Sequence, residues 1–128
     1  MNGIHLIADL YRCGCPSSAL CDRDVLQELC MIECRDAGLT PLGAYFFQFL
    51  HDNGEQAGVT GTVVLAESHL AIHTWPETGD VTLDVYVCNF SRDNSDCANR
   101  VFQRVIDYLA PQEEVRHRVV RGRLPAEV

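Results

Sequence analysis

The chain of 128 residues contains no lysine: its ten basic residues are all arginines, set against eighteen acids for a net charge of −8. Without a lysine amine it cannot anchor pyridoxal phosphate, run lysine Schiff-base chemistry or supply the phosphate-binding lysine of a P-loop. The acidic balance argues against nucleic acid or an anionic membrane surface as a partner, because both are held mainly by basic patches. Cationic small molecules suit it better. The sequence also lacks a basic N-terminal segment followed by a long apolar stretch, and no run approaches the ~20 apolar residues of a membrane span. The expectation is a cytoplasmic protein whose seven cysteines, an odd number, are thiols rather than a disulfide framework. Repeats, low-complexity tracts and linkers are missing too, which suits one domain of this length.

What is present is hydrophobic patterning of two periods. Ile4 to Tyr11 alternates as a strand, with Ile4, Leu6, Ala8 and Leu10 on one parity. After loop chemistry at Cys13 to Ser18, Asp22 offers a helix cap and Val25, Leu26, Leu29, Cys30 and Ile32 recur at helical spacing until Gly38. A strand follows at Leu39 to Leu50, then a polar turn at His51 to Ala57, then β-like sequence from Gly58 to Cys88, folded into a hairpin at Pro76-Glu77-Thr78-Gly79. A second helix starts near Asp93 to Ser95, carries Val101, Phe102, Val105, Ile106 and Leu109, and stops at Pro111; Val115 to Arg123 supplies a last strand. The order predicts a two-layer α/β (α+β) sandwich, with two helices on one face of a largely antiparallel sheet.

Placing Trp75 opposite Asp80 aligns Leu70 with Val85, Ile72 with Leu83 and Thr74 with Val81, an apolar surface for the helices. The other face then carries His69, His73, Thr82, Asp84, Tyr86 and Cys88. Imidazoles, a carboxylate, a phenol and a thiol on one uncovered face make a candidate site; the plain alternative is a solvated sheet surface.

The run Gly58-Val59-Thr60-Gly61 through Ala66-Glu67-Ser68-His69 and Ile72-His73-Thr74-Trp75-Pro76-Glu77 to Asp84-Val85-Tyr86-Val87-Cys88 resembles the bacterial and archaeal S-adenosylmethionine decarboxylase proenzymes. His5-Leu6-Ile7-Ala8-Asp9-Leu10-Tyr11 extends the likeness to the N-terminal strand. It is most specific over Glu67 to Glu77 and weaker in the cysteine-rich helix and the last strand. The resemblance implies a chain that cuts itself between Glu67 and Ser68, into a β chain of 1–67 and an α chain of 68–128, and converts Ser68 into a covalent pyruvoyl group. That group forms an imine with the substrate amine and takes up the electrons left by carbon dioxide, so the missing lysines are no obstacle to amine chemistry. Neither pyridoxal phosphate nor a metal is expected.

The same resemblance assigns roles. Ser68 Oγ attacks the Glu67 carbonyl, His73 takes the proton in the elimination that follows, and Cys88 returns a proton to the substrate α-carbon. Thr60 stands where the family usually has a serine that assists processing. Glu77 matches a carboxylate that binds ribose hydroxyls, and Phe49 or Phe47 is placed to stack on adenine. Taken singly, each has an ordinary reading: a turn serine, a hydrogen-bonded sheet histidine, a buried thiol, core aromatics. Strict alternation puts Ser68 on the Leu70 side, away from His73, so a bend or bulge between them is expected. The family also implies two αβ units joined face to face in four αββα layers, a heterotetramer of two α and two β chains.

Two departures bear on substrate. The loop His51 to Ala57 is longer than the family's link and adds Asp52 and Glu55, and Thr78 replaces a usual tyrosine, with Asp80 after it. Extra carboxylates and a lost aromatic leave ornithine or arginine as alternative substrates. Readings from other classes are a cysteine-rich metal module built on Cys13, Cys15, Cys21, Cys30 and Cys34, and a non-catalytic partner subunit. Paired Cys-x2-Cys knuckles, which the first would need, are absent, and the joint presence of Ser68, His73 and Cys88 speaks against the second.

Overall fold

In the computed structural model, which describes residues 1–122, the alternating segments form one six-stranded sheet. Its strands are β1 (Gly3–Tyr11), β2 (Pro41–Leu50), β3 (Gln56–Leu65), β4 (Ser68–Trp75), β5 (Asp80–Cys88) and β6 (Glu113–Arg121). They lie in the order β2-β3-β4-β5-β1-β6, and every neighbouring pair is antiparallel. The expected end of the last strand at Arg123 falls outside the described residues. β1 runs between β5 and β6, so the first strand of the sequence sits among the last ones.

Three helices accompany the sheet: α1 (Ser18–Cys21), α2 (Arg23–Asp36) and α3 (Ser95–Leu109). The single turn of α1 begins at Ser18, the last residue of the expected loop, and fills the interval before the Asp22 cap. Asp22 caps α2 as expected, its Oδ1 accepting from the N–H groups of Asp24 at 2.9 Å and Val25 at 3.4 Å. Gly38, with φ +91°, follows the end of that helix in the conformation that glycine adopts without a Cβ penalty. At the end of α3, Ala110 takes a left-handed φ of 51° and Pro111 prevents continuation.

Leu26, Cys30 and Cys34 of α2, and Val101, Val105, Ile106 and Leu109 of α3, pack with the even-numbered residues of β1 and β4 and the odd-numbered residues of β5 in one buried cluster. This is the expected two-layer sandwich. Leu70, Ile72, Leu83 and Val85 are fully buried and paired as the sequence suggests, with Trp75 opposite Asp80. The cysteines are dispersed and none is bridged. Burial pushes the Cys34 thiol up to about 12 and the Cys30 thiol higher still, so these two behave as core side chains.

The β2 edge depends on a close approach. Phe46 is buried across from Gly61, and a Cβ on that glycine would overlap the Phe46 ring. Nothing stands within 4 Å of the corresponding position on Gly43. Gly61→Ala is therefore expected to destabilise the fold by about 1–3 kcal/mol through overpacking, while Gly43→Ala stays within about 0.5 kcal/mol. Urea denaturation of both variants checks the contrast; equal midpoints would contradict it.

Candidate active site

The residues of opposite parity on the strands are half-buried or exposed: His5 and Asp9 on β1, Phe47 and Phe49 on β2, Thr60 on β3, His69, His73 and Trp75 on β4, Thr82, Asp84 and Tyr86 on β5. Cys88 shares their parity but is only 7% exposed. Apart from Ser68, which keeps the parity of Leu70, the functional side chains of the strands therefore share the open face of the sheet, and the candidate residues fall into two groups at opposite ends of β4.

The first group surrounds Ser68. Leu65 pairs with Ser68, so β3 and β4 are joined by the two-residue turn Ala66-Glu67. Glu67 has φ +57°, a left-handed conformation that costs a non-glycine residue roughly 1–2 kcal/mol. Its carboxylate accepts from Ser91 Oγ at 3.4 Å. Ser68 Oγ accepts the Cys88 N–H at 3.3 Å, and Asn94 Nδ2 donates to the Cys88 carbonyl at 3.0 Å. Arg92 Nε in turn donates to Asn94 Oδ1 at 2.7 Å. The Cys88 backbone is thus held on both sides.

One side-chain row inward, the rings of His5, Tyr86 and His69 lie 5.7–6.1 Å apart, and the Arg121 guanidinium sits 4.7 Å from the Tyr86 ring centre. His5 Nε2 is buried with no hydrogen-bond partner among the described residues. Burial lowers the His5 pKa, and the nearby Asp84 carboxylate offsets this in part. The ring is held towards its neutral form.

The second group surrounds His73. Thr60 lies directly across β3 from His73, and Thr60 Oγ1 is 3.0 Å from His73 Nδ1. Both line a groove of ≈ 430 Å³ with Phe49, His51, Trp75 and Glu77. Phe47 stays outside it and meets Phe49 edge-on at 4.9 Å. Thr60, His73, Phe49 and Glu77 thus share one groove. A larger cavity of ≈ 500 Å³, lined by Asn2, Asp93, Ser95 and Arg118 among others, contains none of the expected site residues.

The long loop is folded on itself by His51 N–H to Glu55 O at 2.8 Å and Gly54 N–H to His51 O at 2.9 Å. His51 and Ala57 line the groove, but Asp52 and Glu55 do not. Thr78 donates to Asp80 Oδ2 at 2.9 Å, and these two line an adjoining cavity with Asp9 and Tyr11.

The bend expected between Ser68 and His73 does not occur. Six consecutive pairs run without a shift from Leu65–Ser68 to Thr60–His73. The reason is the core: a bulge would carry Leu70 and Ile72 out of register with Val85 and Leu83. Five residue steps of about 3.3 Å put roughly 16 Å of strand between Ser68 and His73. The structure brings Ser68, Glu67 and Cys88 together, and separately His73, Thr60, Phe49 and Glu77. Reasoning from sequence missed Trp75 and His51 as groove residues, although Trp75 shares the parity of His73. No sequence signal marks the left-handed Glu67 or the unpartnered nitrogen of His5.

A sequence profile described as S-adenosylmethionine decarboxylase matches residues 4–122. An S-adenosylmethionine decarboxylase proenzyme from Picrophilus torridus is 35% identical over 120 residues, covering 94% of this chain and 84% of that protein. One from Thermoplasma volcanium is 34% identical, covering 98% of this chain and 88% of that protein. The crystal structure of the adenosylmethionine decarboxylase from Aquifex aeolicus superposes with a TM-score of 0.82 at 32% identity, covering 98% of this chain and 95% of that one. Fold, profile and relatives agree across nearly the whole chain, which therefore belongs to the S-adenosylmethionine decarboxylase family.

Proposed function

We propose that this chain is a self-processing, pyruvoyl-dependent S-adenosylmethionine decarboxylase, cut between Glu67 and Ser68 and working as two αβ units joined through their open sheet faces. The observation that carries this reading is the division of the family-matched residues into two half-sites at opposite ends of β4, Ser68 with Cys88 and Thr60 with His73.

Processing begins when Ser68 Oγ attacks the Glu67 carbonyl carbon, replacing the amide by an ester. Cleavage frees Glu67 from its left-handed turn. A histidine then takes the Ser68 α-proton as the Glu67 carboxylate leaves. The dehydroalanine that remains becomes the pyruvoyl group by hydrolysis, with loss of ammonia. Neutral imidazole suits the proton transfer because its pKa lies near operating pH. The residues around Ser68 fit such a group: the Cys88 N–H already donates to an oxygen at this position. Once formed, the pyruvoyl carbonyl supplies the electron sink for decarboxylation. Cys88 holds the proton returned to the α-carbon, and the two hydrogen bonds to its backbone fix where the thiol stands.

With His73 roughly 16 Å along the strand from Ser68, the base for one chain comes from the other. Face-to-face sheets lie about 10 Å apart. A twofold axis lying between the two facing sheets, over the middle of β4 and perpendicular to the strands, brings the His73 end of one copy over the Ser68 end of its partner. Tyr45, Phe47, Phe49, Val64, Trp75, Val115 and Val119 are 43–72% exposed and share the open-face parity, the kind of apolar surface that association covers. The result is an αββα arrangement of two α and two β chains.

In the groove, Phe49 and Trp75 offer aromatic faces to an adenine and Glu77 a carboxylate to ribose hydroxyls. The acids that distinguish this chain's loop, Asp52 and Glu55, do not line it, which favours the adenosyl substrate over a plain diamine precursor. A cytoplasmic location belongs to the same proposal; among the described residues no helix is long and apolar enough to cross a membrane.

Intact-protein mass spectrometry is expected to show wild type as two fragments divided at Glu67/Ser68 and Ser68→Ala as one chain; a single chain in both sinks the processing claim. Co-expressed His73→Ala and Ser68→Ala chains are expected to complement, with only the His73→Ala chain cut, because its Ser68 meets the partner's intact histidine. Failure of that cut, with both variants folded, contradicts the two-copy site. Carbon dioxide release is expected from S-adenosylmethionine and not from ornithine or arginine; the reverse preference overturns the substrate assignment.

A further inference from the structure

We infer that Thr74 is a positioning residue for the Thr60–His73 pair: its hydroxyl, on the other side of the sheet, holds β3 where Thr60 Oγ1 reaches His73 Nδ1. The inference deepens the proposed role of His73 in processing and rests on that reading.

Thr74 and Asn94 are the only buried polar side chains among the described residues. Thr74 Oγ1 donates to the Leu20 carbonyl of α1 at 2.7 Å and accepts the Val59 N–H at 2.9 Å. Its place in the sheet explains why a side chain does this. The β3–β4 pairing ends at Thr60–His73, although β3 starts earlier, at Gln56, and β4 continues to Trp75. The reactive pair therefore sits on the last rung of its ladder, where strands fray. Beyond that rung, the Thr74 hydroxyl takes the Val59 N–H.

Two neighbouring contacts help to fix the same segment. A Cβ on Gly58 would collide with the Thr74 carbonyl oxygen, so glycine allows β3 to lie against Thr74. On the far side, Gln48 Nε2 donates to the Gly58 carbonyl at 3.3 Å. Thr74 is β-branched and stiff at χ1, so its hydroxyl is aimed at Val59 and Leu20 without needing to search. Both partners are backbone groups. Removing the hydroxyl leaves an N–H and a carbonyl without it at the point where Thr60 must stay in line with His73.

The test compares Thr74→Val, Thr74→Ala and Thr74→Ser in the full chain. Conversion to fragments 1–67 and 68–128, followed by mass spectrometry, is expected to slow at least tenfold in Thr74→Val and Thr74→Ala and to remain within about threefold of wild type in Thr74→Ser. The same substitutions in a Ser68→Ala background, which cannot process, are read by ¹⁵N NMR of the imidazoles. There the His73 ring nitrogen shifts are expected to move in the valine and alanine variants and not in serine, while His5 and His69 stay unchanged. A merely structural loss would move all three or none. Wild-type processing rates in valine and alanine, or unmoved His73 shifts, overturn the inference. Absence of cleavage in wild type itself would instead overturn the processing role, and the NMR comparison still decides whether Thr74 positions His73. If valine fails to fold, alanine carries the comparison.

Discussion

The period-two alternation of β4 is the constraint on which everything else rests. Leu70 and Ile72 are locked between the helices and their partners on β5, and that lock fixes which residues face the other way. A slip of one residue would bury His69 and His73 and expose the core. The chemistry-bearing side chains are therefore held in place by hydrophobic packing on the opposite face. Thr74 uses the buried core side for a polar purpose, and it is satisfied by two backbone partners.

The same lock explains the main difference between the sequence reading and the structure. Alternation places Trp75 against Asp80, and capping chemistry places Asp22 at the start of α2 and Gly38 beyond its end; all three hold because each is decided locally or by strong apolar periodicity. The bend that would unite Ser68 with His73 assumes that one chain holds the whole site. Packing does not permit it: a straight strand satisfies the core better than a bent one. The groove residues Phe49 and Glu77 are legible only through family likeness, since one lies on the β2 edge and the other in a turn, far apart in sequence. Trp75 follows from parity. His51 depends on how the loop closes through Glu55, and the conformation of Glu67 depends on the turn joining β3 to β4; neither has a periodic signature.

Composition acquires a sharper meaning in this setting. The absence of lysine removes the usual anchor for a carbonyl cofactor, and a carbonyl made from Ser68 needs no such anchor. The excess negative charge is uneven: residues 1–67 carry three arginines and nine acids, −6, while 68–128 carry seven and nine, −2. Most of the acid imbalance lies on the N-terminal side of the Glu67-Ser68 bond.

The strand order has a topological consequence for a chain cut at that bond. The first fragment would own β1, β2 and β3, and the second β4, β5 and β6, but β1 lies between β5 and β6. The two pieces would be interleaved like fingers of two hands, and separating them would mean breaking the β3–β4, β5–β1 and β1–β6 ladders together. Cleavage would thus leave the native sheet intact while removing the covalent turn that guided its assembly. Folding and such a cleavage would then have a required order: the sheet would form first, and the cut pair would hold its shape as a product of that history rather than as something two separate fragments readily find.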